Sequence, residues 1–157
     1  ISMACKAVRV MAMDGSIREL TAEEMEFSYR HSVLEDEGGI VLSADFALTP
    51  DDPEVIRAKM RELQQKRSAS QPLDLPSAGS AFKRPVGGYA AALIDQAGLK
   101  GFRVGDAAIS TKHAGFAVNV GSATAAHVKQ LLQQVSDKVY EQTGIRLEPE
   151  IRIWENE

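Results

Sequence analysis

Apolar and polar residues alternate at the start of the chain, over residues 7–20. Val8 and Val10 lie two positions apart, which is the spacing of side chains on one face of a strand. The dipeptide Asp14-Gly15 has the residue types that a tight primed turn requires, and apolar residues follow it. This pattern predicts a β-hairpin.

The next segment changes from a helical pattern to a strand pattern. Thr21 and Glu24 have the spacing of a capping box, which predicts that a short helix begins at Thr21. This helical signal ends near residues 29–32, and we expect a loop that contains Gly38-Gly39. The apolar run 40–48 has the length of a strand.

Residues 49–53, Thr-Pro-Asp-Asp-Pro, are the best candidate for a domain boundary, because two prolines flank two acidic residues. Pro53 suits the first position of a helix, and we predict that this helix runs to about Arg67. Ser, Pro and Gly are frequent in residues 68–79, which we predict to be a loop. The predicted domains are residues 1–49 and 50–157.

Separate helices and strands alternate in the second half of the chain. Apolar residues recur at three- and four-residue steps between residues 128 and 139, in a long helix that Ser122 or Thr124 caps and Gly144 ends. Hairpins and separate helices are typical of an α+β fold with a mostly antiparallel sheet. The remaining predicted elements are a helix over 89–97 and strands over 102–109, 114–120 and 147–154.

Composition and charge exclude several classes of protein. The chain has 157 residues, with 18 Lys and Arg against 22 Asp and Glu and a net charge of −4. It therefore lacks the basic excess typical of general nucleic-acid binding. No apolar run approaches the roughly 18 residues of a membrane span. Cys5 is the only cysteine, and the histidines at 31, 113 and 127 lack the spacing of metal ligands, so we predict no disulfide, no metal site and a cytoplasmic setting.

The first residue of the chain is Ile1, and nothing near it resembles a signal peptide. A strand pattern begins within the first ten residues. We therefore expect that sequence is missing upstream, and that the chain is an internal fragment or a processed product.

The most informative stretch is residues 76–85, Pro-Ser-Ala-Gly-Ser-Ala-Phe-Lys-Arg-Pro. Its small residues let backbone N–H groups approach a ligand closely, and Lys83 and Arg84 follow as adjacent cations. Amides and cations together suit a phosphate group. The stretch lacks the Walker spacing, so it does not predict an ATPase loop. A surface turn with solvated cations explains the same residues equally well.

A set of motifs covers nearly the whole chain. The segments are 27–32 (Phe-Ser-Tyr-Arg-His-Ser), 72–85, 88–101, 109–119 and 147–153 (Leu-Glu-Pro-Glu-Ile-Arg-Ile). In this order they resemble motifs of the UDP-N-acetylenolpyruvoylglucosamine reductase family, which is also called the UDP-N-acetylmuramate dehydrogenase or MurB family. The shorter form of the family is the better match, because no tyrosine-bearing insertion separates the first motif from the predicted boundary.

The chain departs from the family pattern at three places. The family's flavin-pyrophosphate loop should lie before residue 1, so the residues that bind the cofactor are unknown in this sequence. Asp106 stands where a second glycine is usual, and Arg84 stands where some relatives have asparagine. The resemblance implies an α+β fold in which residues 1–49 end a flavin-binding domain and residues 50–157 form a substrate-binding domain of antiparallel sheet and helices.

The resemblance also implies an oxidoreductase of peptidoglycan synthesis. Members of the family reduce UDP-N-acetylglucosamine enolpyruvate to UDP-N-acetylmuramate: NADPH passes a hydride to FAD, and the reduced flavin passes a hydride to the vinyl carbon. The expected partner is this sugar nucleotide rather than nucleic acid or membrane. A fragment without the flavin loop is expected to be inactive alone.

Particular side chains receive roles from the resemblance. Ser80 would donate a proton to the carbon next to the substrate carboxylate after hydride addition. Arg30 would hold that carboxylate through a two-pronged hydrogen bond, and Glu150 would assist as a neutral acid or in proton flow. The residues expected at the nucleotide phosphates are Gly79, Lys83 and Arg84.

Each catalytic candidate also has a purely structural explanation. A serine in a glycine-rich turn commonly bonds to the backbone, Arg30 could be an exposed charge, and Glu150 could form a surface pair with Arg152. His113 suggests a Ser-His-Glu triad with Ser80 and Glu150. We reject that triad because the Gly-x-Ser-x-Gly elbow is absent.

Two other functions stay open at this point. The chain could bind a sugar nucleotide or another phosphorylated ligand without redox chemistry. It could also be a structural interaction domain, because a truncated flavin domain leaves a strand edge without neighbours and such edges pair with other chains. The second alternative predicts a non-native dimer that forms in a concentration-dependent way.

Overall fold

A computed structural model describes residues 2–154 and has the predicted α+β fold. The chain divides into two compact units, Ile1–Ile56 and Arg57–Glu157, and the predicted boundary at residues 49–53 stays a prediction. The elements are a 3₁₀ turn (Ser2–Ala4), β1 (Cys5–Met11), β2 (Ile17–Thr21), α1 (Val33–Glu37), β3 (Ile40–Phe46), α2 (Pro53–Ser70), β4 (Ser77–Ser80), α3 (Ala90–Gln96), β5 (Arg103–Val104), β6 (Ala107–Ile109), β7 (Phe116–Asn119) and α4 (Ala125–Thr143).

Three antiparallel strands in the order β2-β1-β3 form the sheet of the first unit. The predicted hairpin is confirmed: β1 pairs with β2, with Val8 opposite Leu20, and Gly15 takes a left-handed conformation at the turn (φ +84°). Val8 and Val10 are buried whereas Arg9 between them is exposed, so the predicted alternation separates core from solvent. The core of the unit is Cys5, Val8, Val10, Leu20 and Met25.

The prediction that a helix begins at Thr21 is wrong, because residues 22–26 form only a turn. The capping hydrogen bonds are nevertheless present: the Glu24 amide donates to Thr21 Oγ1 (3.2 Å), and the Thr21 amide donates to Glu24 Oε2 (2.8 Å). Glu26 then takes φ +48°, which ends the helical path after one turn. A helix lies instead at α1, within the predicted loop, where Leu34 packs against the core. Tertiary packing therefore decides where this helix forms.

The strand predicted over 40–48 is present as β3, which pairs with β1. Gly39 leads into β3 with φ +128°, and a Cβ at this position would lie 3.0 Å from a methyl group of Val10. Glycine therefore allows the chain to approach β1 closely. All residues of β3 are exposed and β3 is an edge strand. The dimer predicted to form through such an edge stays a prediction.

The sheet of the second unit is also antiparallel, with the order β4-β7-β6-β5. The helix α4 contacts β5, β6 and α3. Its predicted apolar stripe is confirmed, because the residues of the stripe are buried against the sheet and α3. The core includes Phe82, Ile94, Leu99, Ala107, Ile109, Ala117, Leu131, Leu132, Val135, Val139 and Leu147.

Both ends of α4 follow the prediction. Thr124, rather than Ser122, is the N-cap: its Oγ1 accepts a hydrogen bond from the His127 amide (3.2 Å), and His127 Nδ1 accepts one from the Thr124 amide (3.3 Å). Histidine thus takes the place that glutamate has in the usual capping box. Gly144 ends the helix in the left-handed conformation (φ +72°).

Two predicted strands of the second unit differ in the structure. The segment 102–109 is a hairpin rather than one strand, because Gly105 (φ +55°) forms a turn between β5 and β6. The prediction of a strand over 147–154 is wrong, because this segment forms only one isolated bridge, between Phe82 and Pro149. The Ala81 amide donates to the Gly115 carbonyl (2.8 Å) rather than to this segment, so the pairing does not extend into a ladder.

The loop predicted over 68–79 is shorter at both ends. The helix α2 runs to Ser70, whose hydroxyl donates to the Lys66 carbonyl (2.9 Å). The strand β4 begins at Ser77 and consists of small residues with low strand propensity. Its pairing with β7 makes it a strand, and such a long-range contact leaves no local signal.

Gly105 also approaches the start of α4, since a Cβ there would lie 2.5 Å from the His127 ring. Gly98 has a similar φ (+70°) but no atom within 4 Å of such a Cβ. We expect Gly98→Ala to cost about 1–2 kcal/mol of unfolding free energy from backbone strain alone. Gly105→Ala should cost about 1–3 kcal/mol more, because the ring that caps α4 must shift. Urea denaturation measures both losses, and equal losses would contradict the packing argument.

Glu24 has a pKa below the usual glutamate value, because the backbone N–H and the hydroxyl of Thr21 donate to its carboxylate. A carboxyl with a lowered folded-state pKa contributes stability above its unfolded pKa, and this stability is lost as pH falls through the folded value. We expect Thr21→Val to raise the Glu24 pKa toward its usual value and to weaken the acid-side pH dependence of stability. NMR titration of Glu24 measures the shift, with Thr143→Val as the control. If the Glu24 pKa were unchanged in Thr21→Val, the hydroxyl of Thr21 would not be a cause of the lowered value.

Candidate functional site

The strand β4 carries the serine that the sequence indicates as catalytic, and its two ends pair with β7. Ser77 lies opposite Val118 and Ser80 lies opposite Phe116, with a register shift between the two pairs. Gly79 lies in this irregular stretch with φ +93°, and no atom lies within 4 Å of a Cβ built there. The backbone angle, rather than a lack of space, therefore favours glycine at this position.

The two serines of β4 differ in their hydrogen bonds. The Ser77 hydroxyl donates to the Ala117 carbonyl (2.7 Å) and accepts from the Gly79 amide (3.2 Å). Ser80 is exposed, and its hydroxyl has no hydrogen bond to any of residues 2–154. The backbone-binding role that the sequence allowed for Ser80 thus belongs to Ser77. The Ser80 hydroxyl is left for contacts with a ligand or water.

Glu150 lies beside this strand through a second set of backbone contacts. The Glu150 amide donates to the Ala81 carbonyl (3.0 Å), and the Lys83 amide donates to the Glu148 carbonyl (2.8 Å). These bonds flank an antiparallel bridge and set the half-buried Glu150 opposite the residue that follows Ser80. Two of the three predicted catalytic residues are therefore close in the second unit.

Arg30, the third predicted catalytic residue, belongs to the first unit. It is exposed, and its backbone takes the left-handed conformation (φ +57°) inside the turn closed by the Ser28–His31 bridge. Its guanidinium lies 5.7 Å from the centroid of the Tyr29 ring. Positive φ is uncommon for a residue other than glycine. This tight turn presents the guanidinium at the surface of the first unit.

The adjacent cations Lys83 and Arg84 have different surroundings. Lys83 is half-buried and forms an ion pair with Glu148. Arg84 is exposed; its guanidinium carbon lies 4.1 Å from the centroid of the Tyr89 ring, and its Nε donates to the Gly88 carbonyl (3.3 Å). The contact is a cation–π interaction. Tyr89 carries no sequence signal of this role, because nothing local connects an arginine with an aromatic residue five positions later.

Asp106, which departs from the family pattern, and His113, which suggested a catalytic triad, both have structural roles. The Asp106 carboxylate accepts from the Ser122 amide (2.9 Å) and from the Arg103 guanidinium (2.9 Å), so it joins the β5–β6 turn to the segment before α4. His113 Nδ1 accepts from the Gly115 amide (3.1 Å). This backbone contact uses the nitrogen that a Ser-His-Glu triad would need for its carboxylate.

The glycine pair of the first unit packs against other parts of the same unit. A Cβ at Gly38 would lie 3.3 Å from Met13, and one at Gly39 would lie 3.0 Å from Val10. Residues 2–154 also hold no group of three His, Cys, Asp or Glu side chains that could bind a metal ion. The residues that bind the cofactor stay unknown.

Comparison with solved structures defines the class of the chain. Its fold is similar to that of UDP-N-acetylenolpyruvylglucosamine reductase (MurB) from Thermus caldophilus, with a TM-score of 0.79 and 39% sequence identity. The match covers 97% of this chain and 54% of that one. The fold is therefore that of part of an oxidoreductase. Residues 71–154 match the model of the UDP-N-acetylenolpyruvoylglucosamine reductase C-terminal domain, and the chain belongs to this family.

Curated relatives carry the same reductase name. The relative from Limosilactobacillus reuteri subsp. reuteri is 51% identical over 92% of this chain and 48% of its own length. The relative from Streptococcus pneumoniae (strain Hungary19A-6) is 47% identical over 94% of this chain and 49% of its own length. The chain thus spans about half the length of the curated relatives it matches. Within residues 2–154, no helix combines the length and the apolar character that crossing a membrane requires.

Proposed function

We propose that this chain contributes the substrate-binding and proton-donating part of an FAD- and NADPH-dependent reductase. Its substrate is UDP-N-acetylglucosamine enolpyruvate and its product is UDP-N-acetylmuramate, a precursor of peptidoglycan. Membership of the reductase family supports the reaction class. The observation that carries the proposal is the backbone pairing of Ala81 with Glu150 (3.0 Å), next to a Ser80 hydroxyl that no described residue binds. The cytoplasmic setting stays a prediction.

The flavin, when bound, supplies the hydride chemistry of this family. The residues that would hold the flavin stay unknown. The roles proposed below concern only the enolpyruvyl sugar nucleotide. They are proton donation, carboxylate binding and phosphate binding.

Ser80 is the proposed proton donor. Hydride addition to the vinyl group leaves negative charge on the neighbouring carbon, which is conjugated with the carboxylate. A hydroxyl is a weak acid in water, but a carbanion-like carbon is a strong base and takes its proton when the two atoms are held close. An exposed hydroxyl without a partner among residues 2–154 suits this task, whereas the Ser77 hydroxyl is already bound to the backbone.

Arg30 and Glu150 are the proposed partners of the substrate carboxylate. A guanidinium gives two parallel N–H donors that match a carboxylate, and it stabilises the charge that develops after hydride addition. Glu150 completes the set by donating a hydrogen bond as a neutral acid or by passing a proton to the serine. Its half-buried position beside Ala81, the residue that follows Ser80, supports this role.

Arg84 and Gly79 are the proposed ligands of the nucleotide phosphates. Stacking on Tyr89 uses one face of the Arg84 guanidinium, while its N–H donors lie along the edge and suit phosphate oxygens. The open space around Gly79 lets an anion approach the backbone there. Lys83, the other predicted phosphate ligand, is paired with Glu148.

A second candidate function is a sugar-nucleotide binding module without redox chemistry. The second unit favours it, because this unit has its own hydrophobic core and holds both Gly79 and Arg84. Calorimetry of the chain with UDP-N-acetylglucosamine and with FAD distinguishes the candidates. Nucleotide binding without FAD binding, together with no turnover in any longer protein that carries the chain, would favour the module.

The Arg84–Tyr89 contact predicts a graded loss of nucleotide affinity. We expect Arg84→Ala to weaken UDP-N-acetylglucosamine binding by about 10- to 100-fold, because a charge-assisted hydrogen bond to phosphate is lost. Tyr89→Leu should weaken it by about two- to fivefold, in line with the modest strength of an exposed cation–π contact. Tyr89→Phe keeps a ring and is the matched control. Calorimetry measures all three, and a Tyr89→Phe affinity as low as that of Tyr89→Leu would rule out the ring contact.

The two serines of β4 provide a test of the reaction. We expect Ser80→Ala to lower turnover of the enolpyruvyl nucleotide by about 100- to 10 000-fold while reduction of the flavin by NADPH stays fast, because only proton donation is lost. Ser77→Ala should instead lower the unfolding free energy by about 1 kcal/mol and keep most of the turnover. Stopped-flow absorbance of the flavin and steady-state assays separate these effects. Slow flavin reduction in Ser80→Ala would refute the role given to Ser80.

A further inference from the structure

Lys83 and Glu148 are connected twice, although they lie 65 positions apart in the sequence. The Lys83 amide donates to the Glu148 carbonyl (2.8 Å), and the Lys83 ammonium forms an ion pair with the Glu148 carboxylate. The stretch that follows Ser80 is therefore joined to the stretch that precedes Glu150 by a backbone hydrogen bond and by a side-chain ion pair.

The backbone pairing of these two segments is short. It is one isolated bridge, between Phe82 and Pro149, and the Ala81 amide donates to the Gly115 carbonyl (2.8 Å) rather than to this segment. Two hydrogen bonds flank the bridge, from the Lys83 amide and from the Glu150 amide to Ala81. With so few backbone bonds, even a weak ion pair adds to what holds Glu150 in register.

The ion pair also changes what Lys83 can bind. Glu148 places a negative charge against the ammonium, and this charge repels the phosphates of a nucleotide. Arg84, the next residue, contacts an aromatic ring and a carbonyl oxygen. The two cations therefore have different surroundings, although they are adjacent in the sequence.

We propose that Lys83 is a positioning residue: its ion pair with Glu148 holds Glu150 in register beside Ala81 and the proton donor Ser80, and Lys83 does not bind the nucleotide phosphates. The proposal rests on the proposed function, because the position of Glu150 matters only if Glu150 acts on the substrate. Exposed ion pairs are weak, so the expected effects are about two- to fivefold.

Hydrogen exchange of the Glu150 amide tests the register directly in this chain, without flavin or substrate. Pro149 precedes Glu150 in every variant, so substitutions at residues 83 and 148 leave the intrinsic exchange rate of this amide unchanged. We expect Lys83→Met and Glu148→Gln each to lower its protection by about two- to fivefold. The combined exchange Lys83→Glu with Glu148→Lys should restore most of the protection.

A second ion pair in the same unit serves as the matched control. Lys100 Nζ lies 2.7 Å from Asp95 Oδ2, and the two side chains are 39% and 50% exposed. The side chains of Lys83 and Glu148 are 40% and 68% exposed. Lys100→Met should leave the exchange of the Glu150 amide unchanged. If Lys83→Met and Glu148→Gln also leave it unchanged, the Lys83 pair is an ordinary surface contact and the proposal fails.

Nucleotide affinity and turnover give the remaining outcomes. We expect both single variants to change the UDP affinity by less than about twofold and, in the reductase that carries this chain, to lower kcat more than they raise KM. A Lys83→Met variant that loses more than about tenfold in UDP affinity, beside an unaffected Glu148→Gln, would make Lys83 a phosphate ligand and overturn the proposal. If the unsubstituted reductase fails to turn over the enolpyruvyl nucleotide, the proposed function is wrong, while the exchange experiment still decides the role of the ion pair.

Discussion

Residues 80–83 form backbone hydrogen bonds along both edges, and the candidate site of the second unit depends on this double pairing. On one edge Ser80 lies opposite Phe116, and the Ala81 amide donates to the Gly115 carbonyl (2.8 Å). On the other edge the Ala81 carbonyl accepts from the Glu150 amide. Ala81 is fully buried between the two. The backbone is therefore held in place while the Ser80 side chain keeps its hydroxyl for other contacts.

The same pairing also places charged side chains next to one another. It brings the acidic Glu148 against Lys83 and leaves Arg84 one residue beyond the pair, stacked on Tyr89. Two neighbouring cations of the same formal charge thus have different surroundings.

The turn before β6 shows how the chain tolerates its departure from the family pattern. Asp106 stands where the family has a second glycine, and its carboxylate bonds to Arg103 and to the Ser122 amide. Gly121 makes this possible, because a Cβ there would lie 2.7 Å from the Asp106 carboxylate. The charged side chain therefore serves the packing of the turn against the start of α4, and glycine at a second position compensates for its size.

Local sequence determined the elements whose hydrogen bonds close within a few residues. The hairpin around Gly15 and the helix between Thr124 and Gly144 are of this kind, and the alternation and capping patterns predicted them correctly. The family motifs indicated the reductase family correctly, whereas the roles of the candidate side chains stay predictions. Tertiary structure decided the rest: the helix near Thr21 reduced to a single turn, the bridge at Pro149 in place of a strand, and every partner of a charged residue that lies far along the chain. The bridge and the distant charge partners depend on contacts between segments many tens of residues apart, and the turn after Thr21 depends on the packing of Met25 in the core of the first unit. The free energy of such contacts is absent from a short stretch of sequence.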